Sequence, residues 1–235
     1  MSVFFISSIL KIINSKSIIH HFPYPLLLQT SPSGLQLYIP DPEQVKSVYE
    51  KLLRAQPDLP FPFWAKVWPA ARAMTEFLLS HPDLTNNRKL LEIGAGIGLP
   101  SFSIASNISE LIISDHDPDA VALLDKNIAL LGLKNTRALL IDWNYFPPDL
   151  HADTILLSDI NYAPEQFEPL LKLMKQWMES GATLVLSTPQ RIMGVPFIEA
   201  LTAYISFQTS CTIEEPGGMT DISILVLQQH KTPDE

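Results

Sequence analysis

The chain has 235 residues, 46% hydrophobic and 17% charged, which is long enough to bury a sizeable core and too apolar for a disordered chain. Its 16 Lys and Arg against 25 Asp and Glu leave a formal charge of −9. That balance argues against nucleic acid and against a membrane as partners, because both are bound through clustered cations. Cys211 is the sole cysteine, so neither an internal disulfide nor a CxxC metal knuckle can form, and a reducing, cytoplasmic setting is expected.

The chain opens on an apolar run at residues 3–10, extended by Ile12, Ile13, Ile18 and Ile19 and interrupted by Lys11 and Lys16. It falls far short of the roughly 20 residues that span a bilayer. It also has neither the basic leader nor the small-residue cleavage site of a secretory signal. Residues 1–59 are therefore expected to be an extension that packs on the domain, with its first residues either a packed element or upstream of the true start. The domain itself is expected over residues 60–235. Pro57, Pro60, Pro62 and Pro69 keep the next stretch extended, apart from one helix over residues 43–54. Pro69 then suits the first turn of a helix that ends near His81 and Pro82.

From residue 89 strand-like and helix-like segments alternate, the pattern of a parallel sheet covered by helices. Residues 89–93 and 111–114 read as strands, with a helix over 100–105 between them. Asp117-Pro118 supplies a cap and a first-turn proline for a helix whose face carries Ala120, Val121, Leu124, Ile128 and Leu131. Gly132 stops it. Further strands are predicted at 138–141, 154–157 and 183–187, with a helix at 167–179 between the last two. Residues 205–213 and 222–227 flank Glu215-Pro216-Gly217-Gly218 and read as an antiparallel hairpin. The fold class is thus α/β: a doubly wound, Rossmann-like, seven-stranded and mostly parallel sheet with a C-terminal antiparallel hairpin and helices on both faces.

Three strand ends carry the functional signal. The loop after the first parallel strand reads Glu92-Ile93-Gly94-Ala95-Gly96-Ile97-Gly98. Glycines there let a ligand approach the backbone as the chain turns from strand to helix. A dinucleotide fingerprint would place its third glycine where Leu99 stands, and no Lys-Ser/Thr follows to cradle a phosphate. An acid-flanked glycine turn suits a cationic ligand such as a sulfonium better than a pyrophosphate. Asp115, at the end of the second strand, can accept from both hydroxyls of a ribose, whereas Asp117 reads as a cap. Asp142 and Trp143 end the third strand, where an acid can accept from an exocyclic amine and an indole can face a ring. Asp115, Asp117 and Asp119 do not form a calcium loop, because Ala120 and Lys126 occupy the places of its glycine and glutamate.

With these pieces the sequence resembles the class I, seven-β-strand methyltransferases that use S-adenosylmethionine. Pro62-Phe63-Trp64-Ala65-Lys66-Val67-Trp68-Pro69 and Ser158-Asp159-Ile160-Asn161-Tyr162 resemble two segments of methyltransferase family 16, whose members are largely protein lysine methyltransferases. The resemblance spans roughly residues 60–228. It implies that Glu92, Gly94, Gly96 and Gly98 hold the methionine portion of the cofactor, Asp115 the ribose, and Asp142 and Trp143 the adenine. Trp68 would border the cofactor, and Asp159 and Tyr162 would line the acceptor site as catalytic residues. Ile160 and Asn161 stand where enzymes acting on planar amide or adenine nitrogens carry two prolines. That departure points to an amine acceptor, first a lysine side chain of a protein substrate and second a small-molecule amine or heteroaromatic nitrogen.

Other chemistries find less support. No histidine has metal-ligand spacing, so no metal is expected, and Cys211 reads as packing. Arg191 follows the fifth strand and reads equally well as a site residue or as a solvated one. A non-catalytic cofactor-binding protein and an ordinary dehydrogenase remain as alternatives.

Overall fold

A computed structural model describes residues 22–229, apart from Pro32 and Pro216. The apolar run at 3–10 and His20, His21 and His230 lie outside the described residues. The first described elements are an antiparallel hairpin, β1 (Leu26–Thr30) with β2 (Gln36–Pro40), and the helix α1 (Pro42–Ala55). Asp41 caps α1 by accepting from the Glu43 N–H at 3.0 Å, with Pro42 in the first turn. The hairpin was not expected from sequence. Leu37 and Ile39 of β2 are buried in the same core as the domain's helices.

The domain begins with α2 (Pro69–Ser80) and continues through β3 (Lys89–Ile93), α3 (Leu99–Ile104), β4 (Glu110–Asp115), α4 (Pro118–Leu131) and β5 (Thr136–Leu140). It then runs β6 (Thr154–Ser158), α5 (Phe167–Glu179), β7 (Thr183–Pro189), α6 (Val195–Glu199), β8 (Ile205–Glu215) and β9 (Gly218–Leu227). The seven-stranded sheet has the order β5-β4-β3-β6-β7-β9-β8, parallel from β5 to β7 and antiparallel at β9 and β8.

Strand alternation divides the core in two. Leu90, Leu111 and Ile113 face one cluster with Met74 of α2, Phe102 of α3 and Leu123 of α4. Leu91, Ile112 and Ile155 face the other, with Leu170 and Met174 of α5 and Phe197 of α6. The expected doubly wound class is therefore the observed one. Buried Asn127 of α4 fastens β2 to the domain: its Oδ1 accepts from the Tyr38 N–H at 2.7 Å and its Nδ2 donates to the Tyr38 carbonyl at 3.0 Å.

The connections from β3 run outward to β4 and β5, and the chain then crosses back to β6 and β7 on the other side. The crevice at the carboxyl ends of β3 and β6 is thus the switch point of the sheet, the ligand side in such folds. Some boundaries differ from expectation. β5 ends at Leu140, so Asp142 lies beyond the strand and caps a 3-10 turn, Trp143–Tyr145. β7 extends to Pro189, β9 starts at Gly218, and the short α6 was not expected. Among the described residues no helix is long and apolar enough to cross a membrane.

Candidate active site

The glycine loop is built by backbone bonds and by one acid. The Ala95 N–H donates to the Ser114 carbonyl at 2.9 Å, tying the loop to the neighbouring strand. Asp115 Oδ2 accepts from the Gly96 N–H at 2.9 Å, and Oδ1 accepts from the Asp117 N–H at 3.0 Å. Gly96 has φ 54°, and a Cβ there would meet the Trp64 carbonyl oxygen at 3.0 Å. Gly98 has φ 77°, and its Cβ would stand 2.7 Å from Leu124 Cδ2. Both positions combine left-handed backbone with no room for a side chain.

Glu92 is fully buried behind this loop and does not line the cavity in front of it. Its Oε2 accepts from the Ser101 N–H at 3.3 Å, and its Oε1 has no hydrogen-bond partner. Burial pushes its carboxyl up to about 7, against the pull of Ser101 and with a smaller push from the Asp115 charge. Asp142 does not line the cavity either. It is exposed, and its Oδ1 accepts from the Asn144 N–H and Nδ2, both at 2.9 Å.

The other expected residues open onto one cavity of about 380 Å³. Gly94, Gly96, Gly98, Asp115 and Trp143 line it together with Trp68, Asp159 and Tyr162. Trp143 is held by its Nε1–H donating to Gln166 Oε1 at 3.1 Å, and Trp68 by its Nε1–H donating to the Phe63 carbonyl at 2.8 Å. The Phe63 ring lies 6.2 Å from that of Tyr162 and 6.3 Å from that of Trp68, so three neighbouring aromatic side chains line the cavity. Burial raises the Tyr162 hydroxyl above its usual value, with Asp115 and Asp159 adding to the rise.

Asp159 has a left-handed backbone, φ 53°, and a side chain only 9% exposed. Arg191 donates to both its oxygens, Nη1 to Oδ1 at 2.6 Å and Nη2 to Oδ2 at 3.0 Å. Burial raises the Asp159 carboxyl and outweighs the opposing bonds and charge of Arg191. The arginine that sequence left undecided therefore faces the site. Three further lining residues were assigned no role in sequence. Phe63 and Lys66 stand in the quoted Trp-Pro segment, and His116 follows Asp115 directly. The His116 Nδ1 is 3.3 Å from Asp115 Oδ1, and this hydrogen bond raises its pKa. Lys66 Nζ pairs with Glu215 at 3.1 Å and lies 4.5 Å above the Trp68 ring. Among the described residues no group of three or more His, Cys, Asp and Glu could hold a metal ion.

Residues 48–203 match the family described as lysine methyltransferase. Over 179 residues the chain is 27% identical to the protein N-terminal and lysine N-methyltransferase EFM7 of Cryptococcus neoformans var. neoformans, covering 68% of this chain and 56% of that protein. Over 142 residues it is 32% identical to the histone-arginine methyltransferase METTL23 of Homo sapiens, covering 57% of this chain and 75% of that protein. The chain thus spans little more than half the length of the first relative and three quarters of the second. In fold it is similar to the N-methyltransferase NodS of Bradyrhizobium japonicum WM9, solved with S-adenosyl-L-homocysteine, at a TM-score of 0.56 and 16% identity over 75% of this chain and 97% of that one.

Proposed function

From its place in the lysine methyltransferase family, to which this chain belongs, we propose that it is an S-adenosylmethionine-dependent N-methyltransferase whose acceptor is a lysine side chain of a protein. One observation carries this reading: the glycine loop with Asp115 and the aromatic side chains with Asp159 line a single cavity. Cofactor-binding and acceptor-binding groups that share one space are what transfer between two bound molecules requires.

The residues fit the cofactor. Gly94, Gly96 and Gly98 line the cavity with backbone alone, and at Gly96 the close Trp64 carbonyl leaves no room for a side chain that would alter the turn. Of the about four lone-pair sites of Asp115, Gly96, Asp117 and His116 use three, and the remaining one on Oδ2 can accept from a ribose hydroxyl. The half-buried Trp143 offers a face to the adenine. Glu92 supports the loop from behind through Ser101, and Asp142 acts on these residues through its charge on His116. When bound, S-adenosylmethionine supplies an activated methyl group.

The chain's own part is geometry and desolvation. Phe63 and Tyr162 are exposed, 54% and 45%, and with Trp68 they offer apolar surface that an entering acceptor would cover; its burial there would disfavour the ammonium form, whose reference pKa is about 10.4 for lysine. Asp159 accepts an N–H of the neutral amine and directs the lone pair. So directed, the lone pair would be placed to take the methyl group that the bound cofactor would supply, and the methylammonium product would lose a proton to water. Arginine is the acceptor of the relative METTL23 by its name. In this chain the two-pronged face of Asp159 is already taken by Arg191. An acceptor guanidinium has no bidentate partner there, and a single-point amine is favoured. The lone Cys211 accords with a cytoplasmic setting.

The test is to incubate the protein with methyl-labelled S-adenosylmethionine and an extract of its source cells, separated into protein and small-molecule fractions. Label in a protein band, lost in Asp159→Ala while cofactor binding persists, is the expected result. Label confined to small molecules would instead favour a small amine acceptor. Cofactor binding with no transfer would favour a binding-only protein.

A further inference from the structure

Asp159 and Arg191 are 32 residues apart in sequence and meet because β6 and β7 are parallel neighbours, with Ser158 opposite Ser187. The turn that carries the acid is fastened to the segment that carries the arginine. The Asp159 N–H donates to the Ser187 carbonyl at 2.9 Å, and the Thr188 hydroxyl donates to Asn161 Oδ1 at 2.7 Å. Gly194 completes the seat, since a Cβ there would stand 3.2 Å from Asn161 Nδ2. The pair is therefore held from both sides against the cavity.

The charges that face Asp159 leave one net positive charge, that of Arg191, which its own carboxylate balances. Arg191 contacts it directly, and Lys66 and Glu215 act on it from the Trp-Pro segment and from β8 while paired with one another. Tyr162, on the same turn, is the remaining titratable group that faces it, and burial keeps its hydroxyl protonated well above neutrality.

We propose that Arg191 is a positioning residue that cancels the charge of Asp159 at the acceptor mouth, so that the site binds the uncharged amine in preference to its ammonium form. The inference rests on the reading that the cavity methylates an amine. A buried carboxylate without a partner would stabilise an ammonium beside it by direct attraction, and an ammonium has no lone pair with which to attack. Paired with a guanidinium, the same carboxylate keeps its position. It also keeps acceptor capacity, since two oxygens offer about four lone-pair sites and Arg191 uses two. Asp159 thus remains able to take an N–H of the amine while its field is offset. The N–C bond forms from the amine lone pair, the C–S pair goes to sulfur, and the released proton leaves the product methylammonium for water.

The experiment measures the initial rate of label transfer from saturating S-adenosylmethionine to the protein fraction of the source-cell extract. The range runs from about pH 6.5 to about pH 9.5, for the wild type, Arg191→Met, Arg191→Gln, Arg191→Lys and the double variant Asp159→Asn/Arg191→Met. Cofactor binding is measured by calorimetry on each. In Arg191→Met the rise of rate with pH should move up by about one unit, an approximately tenfold lower rate near neutral pH that recovers in alkali. Arg191→Lys should stay near the wild-type profile. In the double variant, which removes both charges and keeps an amide oxygen as acceptor, the midpoint should return to the wild-type position at a lower rate; Arg191→Gln, which should shift the profile as Arg191→Met does, holds the test open if Arg191→Met does not fold. An unshifted profile in Arg191→Met, an equal loss at every pH, or a faster rate near neutrality would overturn the inference while leaving the methyltransferase reading in place. No transfer by the wild type at any pH would remove that reading and this inference with it.

Discussion

Glu92→Gln should leave stability nearly unchanged near pH 4 and raise it near pH 8. The carboxyl is fully buried, its Oε1 has no partner, and burial lifts it from 4.5 to about 7. The folded protein therefore holds this proton more tightly than the unfolded chain does. Below about pH 4.5 the group is protonated in both states and costs nothing extra. As pH rises toward 7 the unfolded chain releases its proton first, so stability falls across that window and stays low above it. The shift of about two and a half units, at about 1.4 kcal/mol each, gives a loss on the order of 3 kcal/mol at pH 8. Glutamine copies the protonated acid in shape and keeps an oxygen for the Ser101 N–H. It should escape that loss and melt higher than wild type at pH 8 by roughly 6–12 °C for a domain of this size. Paired thermal and urea melts at the two pH values read the effect directly. A difference between the proteins that is the same at both pH values, or a variant less stable at pH 8, would refute the reasoning.

Gly96→Ala should weaken S-adenosylmethionine binding by at least about tenfold in calorimetry, because left-handed backbone with a Cβ costs about 1–2 kcal/mol and the methyl would also press on the Trp64 carbonyl at 3.0 Å. Gly132→Ala has a similar φ, 64°, but open space around it, so it should cost stability alone and leave binding at the wild-type level. Asn127→Ala should lower stability in urea melts by about 2–3 kcal/mol, since it strips both hydrogen bonds from the Tyr38 backbone. It should also expose the β1–β2 hairpin to limited proteolysis before the rest of the domain is cut, and a wild-type cleavage rate would count against the hairpin's dependence on Asn127.

Period and spacing made the sheet legible. The apolar strands at 89–93, 154–157 and 183–187 and the cap at Asp117-Pro118 lie where the alternation put them. The glycine loop and Asp115 were legible for the same reason, because a strand end fixes where a residue sits. It does not fix which way a side chain turns. Glu92 alternates onto the buried side of β3 and so ends behind the loop, and β5 ends before Asp142, which is spent on capping the next turn. Arg191 could not be decided because its partner comes from another strand. The available signal was an acid and an arginine a few residues beyond the ends of two adjacent parallel strands. The β1–β2 hairpin was hidden because its attachment is one buried asparagine on a helix 89 residues away, and no local pattern announces such a contact.

The most direct test of the central claim is amino-acid analysis of the protein band labelled by this chain and methyl-labelled S-adenosylmethionine. Label should be recovered as N-methylated lysine and be absent when Asp159→Ala replaces the wild type. Label recovered as methylarginine, or none in protein at all, would contradict it.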